Sequence, residues 1–557
     1  MARRISSVGV VGLGTMGAGI VEVFARGGLE VVGVETTEEL ADRGREILQA
    51  STGRAVRRGK LSEEEQQALL DRVTVSTELA DLAGADLVVE AVPEVVSVKQ
   101  DVFLRLDDVV AEDAVLATNT SSLSVTEIAA GTRRPERVVG MHFFNPAPVL
   151  RLVEVITTPR TDPEASEGVR ELAERLGKKP VVVGDRAGFV ANYLLFGYLN
   201  SALAMVEQGH VSREDLDVAM RVGAGLPMGP LTLMDLIGLD VCHHIGEVIY
   251  GHSRSPLHRP STMLGRMVTS GRLGRKSGQG FYTYASAGSG EVVPDELTPA
   301  DHGDVEVPEA VGVVGSSPLA EDLAGRLDEA GFRVTHVPDA GGDLGPLASV
   351  GLVIEAQEEE PDPESEPAGR DVDDLFAELG EVTAPGTLLT TVNTYSGVAL
   401  AAISGRAGET TVLRVHAPTP HAQVIEIGRN HATAGPTVRT LREVVRRLEA
   451  VPVVARDRTG LVVDALLVSY LNDAVRMLDE GYATVDQVDT AIRHGLGYPM
   501  GPFAMIDHIG ADEVLVIAEE LYSGSAGYQP HLAPSPLLVE HVLLDQPFTE
   551  GAAAGRG

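Results

Sequence analysis

Residues 223–240 (GAGLPMGPLTLMDLIGLD) return as 495–512 (GLGYPMGPFAMIDHIGAD), and no other feature limits the fold of this chain so strongly. Upstream, DRAGFVANYLLFGYLNSAL from Asp185 returns as DRTGLVVDALLVSYLNDAV from Asp457. TNTSS from Thr118 returns as VNTYS from Val392, with Asn119 matching Asn393, and the opening VGVVGLG at Val8 returns as VGVVGSS at Val311. A repeat spanning nearly the whole chain predicts one folding unit present twice. Each copy begins with short apolar strands alternating with helix-patterned stretches and ends in helical periodicity alone, which predicts an α/β Rossmann-like domain followed by an all-α helical domain. The expected divisions are 1–185 and 186–285, a linker over 286–306, 307–457 and 458–545, and a mobile tail over 546–557.

The copies are unequal. Gly12 matches Gly315 at an offset of 303 residues, whereas Asp86 matches Gly351 at 265, so about 38 residues are missing from the second copy. In the first copy that stretch, roughly 38–75, reads as helical, with Arg54, Arg57, Arg58 and Lys60 in its middle. The second copy carries instead an acidic, proline-punctuated insertion from Glu358 (EEEPDPESEP), which reads as a solvated loop.

Charge and cysteine content remove several functions. With 45 basic and 81 acidic residues the net charge is −36, which argues against a nucleic-acid surface or a general attraction to anionic lipid. An anionic substrate then needs a local basic patch. The single cysteine, Cys242, admits no intrachain disulfide and suits a reducing cytoplasm. The basic start at Arg3 and Arg4 resembles a secretory signal, but Gly9, Gly12, Gly14, Gly17 and Gly19 break the apolar run, so a strand–turn–helix is expected. No apolar run approaches the ~18 residues of a transmembrane helix, and no metal-ligand cluster is expected.

Strand Val8–Val11 runs into Gly12-Leu13-Gly14-Thr15-Met16-Gly17, a G-x-G-x-x-G opening a helical stretch, and the next strand ends on Glu35. Gly12 permits the tight turn, Gly14 lets backbone approach a diphosphate, and Gly17 allows close packing of helix on strand. Thr15 and Met16 then begin the helix whose N-terminus receives the phosphates. Glu35 accepts from ribose hydroxyls and repels a 2′-phosphate, so NAD is favoured over NADP. In the second copy Ser317 and Ala320 replace Gly14 and Gly17 and Pro318 intervenes, so that copy is not expected to bind dinucleotide.

His142 stands near the end of a short apolar strand, followed by Phe143-Phe144-Asn145-Pro146-Ala147-Pro148, which forces an irregular loop where ligands bind in open α/β sheets. Glu154 sits on the next apolar strand, a costly place for a carboxylate without a partner. A buried Glu–His pair sets the imidazole tautomer and stabilises the imidazolium formed when an alcohol proton is removed. On these residues alone a catalytic pair and a packed core histidine stand about even.

TNTSS, MHFFNPAPV, LVE, GFVAN and GRKSGQGFY (from Gly274) together resemble the 3-hydroxyacyl-CoA dehydrogenase family over 5–285, and in worn form from about 309 to 540. The resemblance implies NAD-dependent oxidation of (S)-3-hydroxyacyl-CoA to 3-oxoacyl-CoA in fatty-acid or aromatic-acid degradation. It implies His142 as base, Glu154 as its partner, and Ser121 and Asn192 holding the substrate oxygen. Glu94, Lys99, Asn145 and Lys276 match positions that contact the cofactor, and Ser51, Arg54 and Arg58 fall where the family uses a helical arm to meet CoA. Tyr193 departs from the arginine usual at that position, which touches local packing rather than chemistry.

In the second copy His416 and Glu426 match the pair, ten residues apart instead of twelve. Ser121, Asn145 and Asn192 become Tyr395, Thr419 and Asp464, so a non-catalytic second half is expected. The family's helical domain pairs with a second copy, which a duplicated chain can satisfy internally as a pseudo-dimer of 186–285 with 458–540. Two rival readings are a β-hydroxyacid dehydrogenase of the 3-hydroxyisobutyrate type and a scaffold without activity. A fused hydratase has no segment to house it.

Overall fold

The computed structural model describes residues 5–299, 305–357, 371–393, 396–419, 422–526 and 529–549. The acidic insertion from Glu358 to Arg370, Tyr395 and everything from Glu550 lie outside the described residues.

Eight strands form the first sheet: β1 (Ser7–Val11), β2 (Glu30–Val34), β3 (Val73–Ser76), β4 (Leu87–Glu90), β5 (Val115–Thr118), β6 (Val138–Phe143), β7 (Leu152–Thr157) and β8 (Lys179–Gly184). Their order is β3-β2-β1-β4-β5-β6-β7-β8, parallel except that β7 runs against β6. The chain travels outward from β1 to β3 and returns to the other side of β1 as β4, so the crevice at the carboxyl end of β1 is the point where strand order reverses. Strands β4, β5 and β6 are buried along their length, as a sheet covered by helices on both faces requires. Along β7 the burial extends from Leu152 to Ile156, Glu154 included.

A hairpin of β9 (Thr283–Tyr284) and β10 (Val292–Val293) follows the first helical region, and seven strands then form the second sheet. These are β11 (Ala310–Val314), β12 (Arg333–Val337), β13 (Leu352–Glu355), β14 (Leu388–Thr391), β15 (Thr410–Thr419), β16 (Ala422–Arg429) and β17 (Val451–Arg456), ordered β12-β11-β13-β14-β15-β16-β17. The two orders superimpose strand for strand once β3 is removed. The stretch missing from the second copy is therefore the helices Glu38–Arg57 and Glu63–Leu70 together with edge strand β3. The sequence pattern read this stretch as helical throughout. At its end VTVS (Val73–Ser76), three of whose residues are β-branched, pairs in parallel with β2 instead.

Each helical region contains a long helix, Ala191–Glu207 or Val463–Asp479, and a π-turn, Ala219–Gly223 or Ile492–Leu496. The two long helices pack on each other, with the rings of Tyr198 and Tyr470 meeting edge-on at 6.1 Å. Each π-turn lies on the other half's sheet: Gly223 against Val424 of β16, and Gly495 against Leu152 of β7. Backbone joins the halves too, since Arg456 donates to the His210 carbonyl at 2.8 Å.

The expected linker and the start of the expected tail both make contacts with the domains beside them. Within the expected linker, Val292–Val293 completes the hairpin, and Asp295 takes an ion pair from the buried Arg213. Within the expected tail, Asp507 accepts from the N–H groups of Phe548 and Thr549, each at 2.8 Å. Asp235 holds Phe281 and Tyr282 in the same way at the matching place in the first copy. The tail reading is corrected to that extent. Phe548 was hidden from a composition argument because its partner, Asp507, stands 41 residues away.

Candidate active site

The turn after β1 has the geometry its glycines require. Gly12 has φ +90°, a conformation that strains any residue with a side chain. A Cβ at Gly17 would lie 1.7 Å from the Gly12 carbonyl oxygen, so helix Thr15–Arg26 reaches the strand only because that atom is missing. Gly14 is the helix N-cap and no side chain caps it, while a Cβ there would meet nothing within 4 Å. The first N–H groups of the helix therefore face an open crevice that suits a diphosphate. Glu35 borders it, accepting from the Leu13 N–H at 2.6 Å. At the matching turn, Ser317 accepts from the Ala320 N–H at 3.0 Å and donates to the Ala356 carbonyl at 2.6 Å, and Pro318 has no N–H to give. The second copy closes its own helix N-terminus.

On β6 and β7 the pair anticipated from sequence is formed. Glu154 lies directly opposite His142 in the β6–β7 register. Its Oε2 accepts from His142 Nδ1 at 2.7 Å, with both side chains buried. Oε1 accepts from the N–H groups of Val190 and Ala191, both at 3.0 Å. Those two donors are aimed by Phe189, a fully buried residue at φ +48°, where a side chain costs on the order of 1 kcal/mol and is kept only by its surroundings. With Nδ1–H directed at the carboxylate, Nε2 carries the lone pair. It makes no hydrogen bond among the described residues. Phe144 lies against the imidazole at 4.4 Å between centroids and Phe189 at 5.6 Å.

The loop of Ser121 is held by acids. Glu94 Oε1 accepts from the Thr120 hydroxyl at 2.5 Å and the Ser121 N–H at 2.9 Å, while its other oxygen faces Lys99 at 3.2 Å. Burial pushes the Glu94 carboxyl up, but the Lys99 ammonium and these donors outweigh it and hold the group below the ordinary carboxylate range. Lys99, expected to touch cofactor, is only 1% exposed, with its ammonium also 2.8 Å from Glu90. Asn192 is buried, and its amide donates to the Ser121 carbonyl at 3.3 Å, which brings the helical region onto this loop. Asn145 is exposed on the loop after His142. Buried Lys178 donates to the Ala147 and Leu150 carbonyls of that loop at 2.5 and 2.7 Å, and burial, then Arg26 and Arg151, bring its pKa down to about 8.

The remaining expected residues stand apart. Arg54 and Arg58 are exposed at the end of helix Glu38–Arg57, with Ser51 half-buried one turn earlier. Lys276 is paired with Asp240 at 2.5 Å within the first helical region. Tyr193 carries the Arg186 guanidinium over its ring at 3.7 Å. Sequence reasoning passed over Glu90, Asn119, Phe189 and Lys178. Glu90 had a signal, because an acid ending the apolar strand LVVE is as conspicuous as Glu154 and recurs as Glu355. Asn119, which accepts from the Phe143 N–H at 2.9 Å, lay within a motif already singled out. Lys178 had no signal.

In the second copy His416 also meets its glutamate, but through the other nitrogen. Nε2 lies 2.8 Å from Glu426 Oε2, and Nδ1 lies 3.8 Å from the Asp464 carboxylate that replaces the Asn192 amide. Burial opposes protonation here, yet the Glu426 hydrogen bond and the Asp464 charge prevail and raise the His416 pKa. Both ring nitrogens face carboxylates, whereas among the described residues His142 Nε2 has no hydrogen-bond partner.

A diphosphate crevice at the reversal of strand order, bordered by an acid and followed by a histidine–glutamate pair, defines an NAD-dependent dehydrogenase. The family model for the 3-hydroxyacyl-CoA dehydrogenase NAD binding domain matches residues 7–186 and 339–458, and that for the C-terminal domain matches 188–284 and 460–552. The chain belongs to the 3-hydroxyacyl-CoA dehydrogenase family, with both domains present twice, which removes the β-hydroxyacid dehydrogenase alternative. It is 48% identical over 286 residues to 3-hydroxybutyryl-CoA dehydrogenase of Mycobacterium tuberculosis, covering all of that protein and 51% of this chain. It is 41% identical over 287 residues to human mitochondrial hydroxyacyl-coenzyme A dehydrogenase, covering 91% of that protein and 50% of this chain. A crystal structure of 3-hydroxybutyryl-CoA dehydrogenase from Escherichia coli K12 superimposes with a TM-score of 0.71 at 28% identity, over 97% of this chain and 99% of that one. Among the described residues no helix is long and apolar enough to cross a membrane, and no group of histidine, cysteine or acidic side chains is placed to hold a metal.

Proposed function

We propose that the first half oxidises (S)-3-hydroxyacyl-CoA to 3-oxoacyl-CoA with His142 as base, and that the second half is non-catalytic. The observation that carries this reading is the contrast between two otherwise matching histidines: among the described residues His142 Nε2 has no hydrogen-bond partner, and His416 has a carboxylate at each nitrogen. NAD, when bound, accepts the hydride. Gly14, Thr15, Met16 and Gly17 would offer it backbone N–H groups at the turn that Gly12 makes possible, Gly12's own N–H being held by the Val34 carbonyl; Glu35 would take the ribose, and Asn145 and Glu94 would border the nicotinamide end. Lys99 acts on that end through Glu94, and Lys276 belongs to the same set by family position.

His142 Nε2 takes the hydroxyl proton, and Glu154 stabilises the imidazolium that results. Ser121 and Asn192 hold the substrate oxygen. Ser51, Arg54 and Arg58 meet the CoA phosphates, supplying the local positive charge that a chain of net charge −36 otherwise lacks. A short acyl group is favoured, since the relatives quoted above include two named for 3-hydroxybutyryl-CoA. Fatty-acid or aromatic-acid degradation in the cytoplasm is the setting proposed. The mutual packing of the helical regions supports an intrachain pseudo-dimer.

The test is NADH oxidation with acetoacetyl-CoA compared with longer and carboxylated 3-oxoacyl-CoAs. His142→Gln is expected to lower kcat by about 10²–10⁴ with NADH binding retained, and His416→Gln to leave kcat within twofold. Near-normal turnover of His142→Gln refutes the base assignment. Loss of turnover in His416→Gln with the fold intact refutes a non-catalytic second half.

A further inference from the structure

Residues 480–496 of the second half pack on the strands and loop that carry the first half's catalytic pair. Gly495, in the π-turn Ile492–Leu496, packs on Leu152 and on the ring of Phe144, the same ring that lies 4.4 Å from the imidazole of His142. The Tyr482 hydroxyl donates to the Gly184 carbonyl and the Gln487 amide to the Val182 carbonyl, both at 2.8 Å. Those carbonyls belong to β8, the strand paired with β7 beside Glu154. Burial and then the Glu154 charge push the Tyr482 phenol up, so it remains a donor. Glu480 forms an ion pair with Arg186 at 2.9 Å, and that guanidinium lies between the rings of Tyr193 and Tyr482, just ahead of the turn that supplies two N–H groups to Glu154.

We propose that the second half is the positioning partner of the first half's active site, with Gly495 and Tyr482 as positioning residues that set the ring of His142 and the strand of Glu154. Gly495 suits this place because the buried Leu152 occupies the space a side chain would need, with the Phe144 ring in contact beside it: a Cβ would stand 2.6 Å from Leu152 Cδ2 and, at ordinary contact distance, 3.5 Å from Phe144 Cε1. The duplication supplies a matched control. Gly223, the repeat counterpart of Gly495 and the last residue of the first half's π-turn, packs on the second half, where a Cβ would stand 2.9 Å from Val463, at the start of the long helix, and 3.4 Å from Val424 of β16. Each glycine leaves less than 3 Å between a Cβ and a branched side chain of the other half, but of the two Gly495 is the one that lies against the ring flanking His142.

This inference rests on the assignment of His142 as base, so His142→Gln is measured alongside. The full chain is assayed as Gly495→Val and Gly223→Val for thermal midpoint, NADH dissociation constant, KM for acetoacetyl-CoA, and kcat across pH. Both variants are expected to lose similar thermal stability. Gly495→Val is expected to lower kcat at least tenfold and to move the midpoint of its pH profile, with the NADH constant within twofold. Gly223→Val is expected to keep kcat within twofold and the pH midpoint in place. Tyr482→Phe, which deletes only the hydrogen bond to Gly184, serves if Gly495→Val does not fold, with a shifted pH midpoint and unchanged KM expected. An unmoved kcat and pH midpoint in Gly495→Val, or in Tyr482→Phe where it substitutes, overturns the proposal. If His142→Gln itself retains turnover, the base assignment falls and takes the proposal with it.

Discussion

Glu154→Gln separates what the carboxylate does electrostatically from what it does as a fixed acceptor. The amide has the same shape, and its oxygen can keep both N–H donors of Val190 and Ala191. Its NH₂ then faces His142 Nδ1, where the carboxylate oxygen now stands at 2.7 Å. Two losses follow. A charge-assisted hydrogen bond to the imidazolium is worth about 1.5–3 kcal/mol, or roughly 10- to 150-fold in rate. In addition Nδ1 becomes an acceptor, the ring proton moves to Nε2, and the lone pair that takes the substrate proton is consumed. Where an Asp-to-Asn exchange reverses a catalytic imidazole in this way the cost is about 10⁴, so kcat is expected to fall between about 10² and 10⁴. The assay is steady-state NADH oxidation with acetoacetyl-CoA, beside NADH binding by fluorescence and a thermal melt. The melt is expected to stay within about 3 °C, because no buried volume changes. Glu426→Gln, also fully buried and also holding two backbone N–H groups, is the internal comparison and is expected to leave kcat unchanged. A kcat for Glu154→Gln within threefold of the parent, with the protein folded, refutes the account.

Two further expectations concern the differences between the copies. Gly14→Ser introduces a side chain where nothing stands within 4 Å, so the fold tolerates it and gains a cap worth a few tenths of a kcal/mol; NADH affinity is expected to fall at least about tenfold as the helix N-terminus closes in the manner of Ser317, and a dissociation constant within twofold of the parent contradicts this. His416 has its pKa raised above the ordinary 6.5, so its imidazolium contributes stability that is full below that value and is lost as pH rises through the folded-state value. The excess thermal midpoint of the parent over His416→Gln is therefore expected to be largest below the ordinary imidazole value and to shrink as pH rises above it, and a pH-independent difference refutes a structural imidazolium.

The readable parts of the site are those whose chemistry is local in the chain. The glycine turn is legible because Gly12, Gly14 and Gly17 each answer a constraint set within six residues. Glu154 is legible because a carboxylate on an apolar strand must have a partner, and His142 is near enough in sequence to be proposed. Glu94 and Lys99 were placed at the cofactor by family position, but their hydrogen bonds show Glu94 fastening the Ser121 loop with Lys99 buried behind it. That arrangement depends on two loops meeting at the end of a sheet, 27 residues apart for Glu94 and Ser121, and no periodicity records it.

The sequence by itself determined that the chain is one unit written twice, that the second writing lost an arm and a phosphate turn, and which histidine kept a glutamate and an asparagine as companions. Those are properties of residue identity and short-range spacing, and a chain carries them without folding. Only the tertiary structure decided which nitrogen of each histidine meets its glutamate, since Nδ1 in one copy and Nε2 in the other follow from a loop two residues shorter and a carboxylate brought in from a distant helix. Only it brought Gly495 against Phe144, because the contact joins positions some 350 residues apart and exists only when two sheets and two helical regions have packed together.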